Sequence, residues 1–111
     1  SILSNQVIAV LDMGYSLLED CGFTRAEAVR ATGQLVMRNI ENVLEAGCDG
    51  ALTGPIERND IETVKKHIAC MQNDDSDDVR LYKMLGTKLV NIAEKKNPDK
   101  DYTQMMELLR G

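Results

Sequence analysis

The sequence predicts an all-α fold, a helical bundle of about five helices of which two are long. Composition is the first observation, because Ala, Leu, Met, Glu and Lys are abundant while aromatic residues make up only 4% of the chain. The second is that apolar residues recur at three- and four-residue spacing. The third is that capping residues, Gly and Pro divide the chain into helical lengths, with no strand pattern between them. We therefore expect residues 1–111 to form one helical domain.

The first long helix is predicted over residues 2–20 and ends at Gly22, a residue suited to the position after a helix C-terminus. Its apolar residues cover well over half of a helical wheel, and Asp12 is its only charge before position 19. A capping box at residues 24–27 begins the second long helix, which we expect to end at Gly47 at about the same length, roughly 33 Å. Because three short neighbours cannot cover the first helix, the sequence predicts a homodimer.

Three shorter helices are predicted in the second half of the chain. Each begins at a short polar side chain that can accept a hydrogen bond from a free backbone N–H. The candidate caps are Asn59 or Asp60, then Ser76 or Asp77, then Asp101 or Asp99. The acidic loop at residues 73–78 superficially resembles a calcium loop, but it lacks the central Gly and the closing Glu, so we exclude a calcium site.

Charge and cysteine usage exclude several classes of function. A net charge of −5 disfavours a nucleic-acid surface and an anionic membrane surface. No apolar run reaches membrane length, and no signal peptide is visible. Cys21, Cys48 and Cys70 are odd in number and lack C-x-x-C spacing, which predicts free thiols in a reducing cytoplasm. His67 and Cys70 share a helix face, but two ligands do not make a zinc site, so no metal is predicted.

The central segment from Ala51 to His67 interrupts the helical pattern. Gly54-Pro55 must break any helix, since Pro55 has no N–H and pushes Gly54 out of the α region. The residues that follow read as a tight turn and then a helix N-terminus. Backbone amides held open in such a turn are free to meet a ligand or to be capped.

Four side chains in this segment have both a structural and a functional interpretation. Thr53 either caps its own turn or hydrogen-bonds a substrate carboxylate or hydroxyl. Arg58 either pairs with a neighbouring acid (Glu57, Asp60 or Glu62) or clamps an anion with its fork of donors. Asp60 is interpreted as an N-cap rather than an acid or base. His67, the only imidazole, is either a core or interface residue or a group that transfers a proton.

The same segment resembles a known family signature. The shared residues are Asn42-x4-Gly47-x3-Ala51-Leu52-Thr53-Gly54-Pro55-Ile56-x-Arg58-x-Asp60-x2-Thr63-Val64-x2-His67. This pattern resembles the C-terminal helical domain of the bacterial oxidoreductase family catalogued as domain of unknown function 2520. Ser4-Asn5 and Tyr82 resemble further positions of that family. The family usually has Gly where this chain has Asn59, a residue that tolerates the left-handed conformation.

The resemblance implies a split enzyme related to ketopantoate reductase, pyrroline-5-carboxylate reductase and 6-phosphogluconate dehydrogenase. In such proteins an N-terminal Rossmann domain binds NAD(P), and a 6-phosphogluconate dehydrogenase C-terminal-like helical domain dimerises and forms one wall of the substrate cleft. The chain begins at Ser1 without Met and without a predicted cap, which we interpret as a fragment lacking its Rossmann domain. We therefore expect no dinucleotide binding by this chain alone, because it has no strand–Gly-loop–helix unit.

We expect the substrate-side residues to be Asn5, Asn42, Thr53, Gly54, Arg58 and His67, and the substrate to be small and polar or anionic. The catalytic residue is not identified. Two alternatives remain open at this stage. The chain could be a purely structural dimerisation module without a ligand, or an unrelated helical adaptor that shares only the turn.

Overall fold

The computed structural model describes residues 1–71 and 75–111. Over these residues the chain is helical and contains no strand, which confirms the all-α prediction. The helices are α1 (Ile2–Asp20), α2 (Arg25–Ala51), α3 (Ile61–Cys70), α4 (Asp77–Lys96) and α5 (Thr103–Arg110). At 20 residues, α4 is about as long as the 19-residue α1, and Gly86 inside it packs closely against the Leu109 side chain.

The helix starts follow the capping chemistry. Thr24 and Glu27 form the predicted capping box, Asp60 caps α3, and Ser76 accepts a hydrogen bond from the Val79 N–H at 3.1 Å. Asp101 accepts from the Thr103 N–H at 2.9 Å at the start of α5. The expectation of an uncapped first helix is wrong, because the Ser1 hydroxyl accepts from the Ser4 N–H at 3.3 Å. Asn73 and Asp74 of the acidic loop lie outside the described residues.

The end of α2 differs in part from the prediction. Gly47 interrupts the helix with φ 76° and ψ 173°, a conformation that favours glycine. A further helical turn then runs to Ala51 and closes with a hydrogen bond from the Leu52 N–H to the Cys48 carbonyl at 3.1 Å. The helix therefore reaches 27 residues, well beyond the 19 of α1.

Two apolar clusters form the core and both include residues of α4. The first cluster joins α3, α4 and α5, and its buried residues are Val64, Val90, Ala93, Tyr102, Met105 and Leu109. The second joins the end of α1 to the start of α4, and its buried residues are Met13, Leu17, Met71 and Val79. In the described part of the chain, none of the helices has both the length and the apolar character needed to cross a membrane.

The first half of α1 and the second half of α2 lie outside this core. Every residue from 1 to 10 and from 37 to 50 is exposed. They include two rows of large apolar side chains, which we call the exposed apolar rows. The α1 row consists of Ile2, Leu3, Val7 and Ile8, and the α2 row of Met37, Ile40, Val43 and Leu44.

The prediction of three free thiols is wrong for two of the cysteines. Cys21 and Cys70 form a disulfide, with their Cα atoms 5.1 Å apart. Cys48 is a free, exposed thiol. The sequence pattern does not predict this disulfide, because the two bonded residues are 49 positions apart and meet only when the ends of α1 and α3 pack together.

Candidate functional site

The candidate site is built on the turn segment, which we define as residues 52–60 between α2 and α3. Gly54 has φ 108° and Asn59 has φ 61°, so both are left-handed, as predicted for Asn59. The turn closes on itself through hydrogen bonds from the Arg58 N–H to the Gly54 carbonyl at 3.0 Å and from the Asp60 N–H to the Pro55 carbonyl at 2.8 Å. A Cβ built on Gly54 would meet no atom within 4 Å, so this corner of the turn faces open space.

Glu57 attaches the turn segment to the junction between α4 and α5. Its side chain is only 14% exposed and lies 3.8 Å from the Lys96 Nζ and 3.6 Å from the Lys100 Nζ. It also accepts a hydrogen bond from the Asn97 side chain at 3.1 Å. Because one carboxylate meets two ammonium groups and an amide, this side of the turn is charge-compensated and held in place.

Backbone carbonyls of the turn segment are held by the same junction. The Tyr102 hydroxyl donates to the Glu57 carbonyl at 2.6 Å, and the Lys96 ammonium donates to the Leu52 carbonyl at 2.7 Å. The Asn59 amide donates to the Asp101 carbonyl at 2.9 Å, while its Oδ1 is buried and accepts no hydrogen bond from the described residues. Sequence reasoning missed this junction, since the groups that meet are 40 or more positions apart.

Asp60 acts as an N-cap, as predicted. Its carboxylate accepts from the Thr63 hydroxyl at 2.7 Å and from the Thr63 N–H at 3.2 Å. These two hydrogen bonds, with a smaller contribution from the nearby charge of Arg58, lower the pKa of the Asp60 carboxyl. Asp60 is therefore a carboxylate already engaged with its own helix, which makes it a poor general acid.

Among the described residues, Thr53 and Arg58 do not form the side-chain hydrogen bond or ion pair that their structural interpretations require, although the charge of Arg58 acts on Asp60. Both side chains are exposed and make no hydrogen bond or ion pair with the residues that the structure describes. Each acid that could pair with Arg58 contacts another residue instead. Glu57 meets the two lysines of the junction, Asp60 meets Thr63, and Glu62 lies 3.8 Å from the Lys65 Nζ. The guanidinium fork of Arg58 is thus left open to an incoming anion.

The remaining predicted site residues lie elsewhere on the surface. Asn5 is on the exposed half of α1 and Asn42 on the exposed half of α2, and within the described residues neither side chain hydrogen-bonds to the turn segment. His67 is exposed and not a core residue. It lines an apolar groove instead, and Thr53, Gly54 and Arg58 do not line that groove.

The apolar groove lies between α1, α2 and α3 and has a volume of about 580 Å³. Its walls include Val10, Leu17, Val36 and Met71, together with the two cysteines of the disulfide. Tyr82 of α4 lines the groove too, and burial raises the pKa of its phenol. No local sequence signal predicts this groove, because its walls come from four helices.

Comparison with known proteins gives a match to a protein family. No curated protein and no solved structure matches the chain significantly. A family model described as "Domain of unknown function (DUF2520)" matches residues 1–89, which covers α1, α2, α3, the turn segment and most of α4. The chain therefore belongs to the DUF2520 family.

Proposed function

We propose that this chain is the dimerisation and substrate-side domain of an NAD(P)-dependent oxidoreductase whose Rossmann domain precedes it in the full-length protein. The observation that carries the substrate-side role is the open guanidinium of Arg58 on an anchored turn. Membership of the DUF2520 family and the resemblance to helical domains of such reductases support the wider assignment. This domain contributes no dinucleotide site of its own.

The chemistry of the turn segment suits a small polar or anionic substrate. Arg58 supplies a bidentate cation and Thr53 a hydroxyl, and the open corner at Gly54 lets a ligand approach the backbone. Asn5 and Asn42 would reach the same cleft from the exposed helix halves. Among these residues there is no general acid or base, so a proton would come from His67, the Rossmann domain or water.

The dimerisation role is based on the exposed apolar rows. Their eight side chains are between 38% and 85% exposed. Together they present roughly 1,000 Å², the scale of the ~800 Å² that each partner buries in a standard interface. A second copy of the chain is the proposed partner, because one copy leaves α1 uncovered along half its length.

The cytoplasm is the proposed location, although cysteine usage does not support it, since two of the three cysteines are bonded. The assignment now depends on the cofactor alone, because NAD(P) is an intracellular cosubstrate of the related reductases.

The substrate-side role is tested in the full-length enzyme with its substrate. Arg58→Ala and Asn42→Ala should lower kcat/KM by about tenfold or more, a loss of ~1.4 kcal/mol, with little change in melting temperature. Arg110→Ala is the matched control, because this arginine is exposed on α5 and outside the turn segment. Unfolding by both site variants, with normal turnover in what stays folded, would instead favour a purely structural module.

Two measurements on the chain itself complete the test. Light scattering should give a dimer at micromolar concentration, and Ile8→Glu should give a monomer, whereas Met84→Glu on α4 should not. Calorimetric titration with NADPH and NADH should give no heat of binding. A monomeric wild type would contradict the dimerisation role. Micromolar affinity for a dinucleotide would contradict the assignment of dinucleotide binding to the Rossmann domain alone.

A further inference from the structure

The disulfide between Cys21 and Cys70 connects helices that belong to different apolar clusters. Cys21 is the C-terminal capping residue of α1, and Cys70 is the last residue of α3. The body of α3 packs in the first cluster through Val64, whereas α1 packs in the second through Met13 and Leu17. The sulfur bond is the covalent link between these two helices.

The two apolar clusters are also joined without this bond. Both apolar clusters contain residues of α4, which joins them without the sulfur atoms. Met71 directly follows Cys70 and is itself buried in the second cluster, so an apolar contact near the bond persists when the bond is broken. The described packing is therefore compatible with a folded chain that carries two thiols at these positions.

The bond is also reachable from solvent. Cys70 is exposed and Cys21 is half-buried, and both line the open apolar groove. Exposed disulfides are more readily reduced than those enclosed in a core, and they are the ones used in regulation. Both sulfurs lie at helix C-termini, where the negative end of the macrodipole disfavours a thiolate, so uncatalysed exchange is expected to be slow.

We propose that the Cys21–Cys70 disulfide is a reversible redox latch between α1 and α3, opened by a protein dithiol reductant of the C-x-x-C class. A thiolate of the reductant attacks the Cys70 sulfur, forms a mixed disulfide and expels Cys21 as a thiolate, which takes a proton from water. The second thiol of the reductant then loses its proton and attacks the reductant's own sulfur in the mixed disulfide. This step releases Cys70 as a thiolate, which is protonated in turn, and leaves the reductant as a disulfide.

Opening the latch removes the covalent link between the last turn of α3 and the end of α1, so that the apolar contact of Met71 alone holds the two helix ends together and the wall of the apolar groove loosens there. The core formed by α4 and α5 is not touched by the bond and stays as it is. Because α3 begins at Ile61, immediately after the turn segment, the same motion is transmitted toward that turn. The latch itself needs neither substrate nor cofactor, so its test is independent of the proposed function.

The test uses the whole chain in a Cys48→Ser background, which leaves Cys21 and Cys70 as the only cysteines. Thiol labelling should find none before reduction and two after treatment with dithiothreitol. Amide hydrogen exchange of residues 61–70 and 11–20 should then become at least about tenfold faster, while the exchange of α4 and α5 stays within about twofold. Replacing both latch cysteines by serine should reproduce the reduced pattern without any reductant.

A trapping experiment identifies the attacked sulfur. A thioredoxin-type protein that lacks its second, resolving cysteine should form a mixed disulfide with Cys70, located by peptide mapping, and none with the double-serine variant. Two thiols that label before reduction would overturn the proposal, as would unfolding of the entire chain on reduction. Unchanged exchange in α3, or failure to trap a mixed disulfide, would overturn it as well.

Discussion

Removing one hydroxyl, in Tyr102→Phe, should loosen the turn segment without altering the apolar core. The Tyr102 ring is 2% exposed and packs in the first cluster, and phenylalanine keeps that packing. The hydroxyl that is removed donates a hydrogen bond to the Glu57 carbonyl at 2.6 Å and accepts one from the Asn97 side-chain amide at 3.0 Å. Asn97 keeps its bond to the Glu57 carboxylate, so the Glu57 carbonyl is the group left without its hydrogen bond.

A part-buried acceptor left without a partner costs about 1–3 kcal/mol, and we expect ~2 kcal/mol here. For a domain of this size, 1 kcal/mol lowers the melting temperature by about 4 °C, so Tyr102→Phe should melt roughly 8 °C below wild type. Calorimetry at a fixed protein concentration measures this, since an associating chain has a concentration-dependent Tm. The amide protons of Arg58 and Asp60, which close the turn, should also exchange faster.

Tyr82→Phe is the matched control, because it deletes the same atom from a partly buried ring. Within the described residues the Tyr82 hydroxyl makes no hydrogen bond, so its removal should change the unfolding free energy by less than ~0.5 kcal/mol. Equal melting temperatures for the two variants would refute the anchoring role of Tyr102. A lower Tm with unchanged exchange at Arg58 and Asp60 would show that the hydroxyl supports the core and not the turn.

Two further predictions concern helix packing and pH. Gly86→Ala would place a Cβ 2.8 Å from the buried Leu109 side chain, so it should destabilise the chain by about 1–2 kcal/mol in a denaturant titration, despite the better helix propensity of Ala. Gly33→Ala is the control, because its Cβ would meet no atom within 4 Å, and it should be neutral or stabilising in the same titration. For Asp60, hydrogen bonds from Thr63 lower the folded-state pKa below its ordinary 3.8, so its stabilisation is fully present above pH 3.8 and is lost as the pH falls through the lower folded value. The Tm difference between wild type and Asp60→Asn should therefore shrink on acidification below pH 3.8, and a constant difference would contradict the capping role.

The sequence by itself determined where the helices begin and which residues form the turn. Capping needs only a short polar side chain and the free N–H groups two or three residues later, so Thr24, Asp60 and Ser76 could be identified locally. The left-handed conformation of Asn59 was predictable for the same reason, since it follows from steric limits on one residue. The candidate site was predicted on the turn segment from the resemblance of these residues to a family signature, because their types and spacing alone left a structural role open for each of them.

The tertiary structure alone decided which of those side chains are engaged and which are open. Arg58 has acids on both sides in the sequence, yet it forms no ion pair with the described residues, and for Glu57 the reason is that α4 and α5 bring Lys96 and Lys100 to its carboxylate. The local charge pattern gives no information about lysines that lie 39 and 43 positions away from Glu57.

The same reason explains the error over the thiols. Cys21 and Cys70 carry no pairing signal in their spacing, and only the packing of α1 and α3 about α4 brings their Cα atoms to 5.1 Å. Local preferences depend on a few neighbouring residues and can be worked out from sequence, whereas contacts between distant segments depend on how all the helices pack at once.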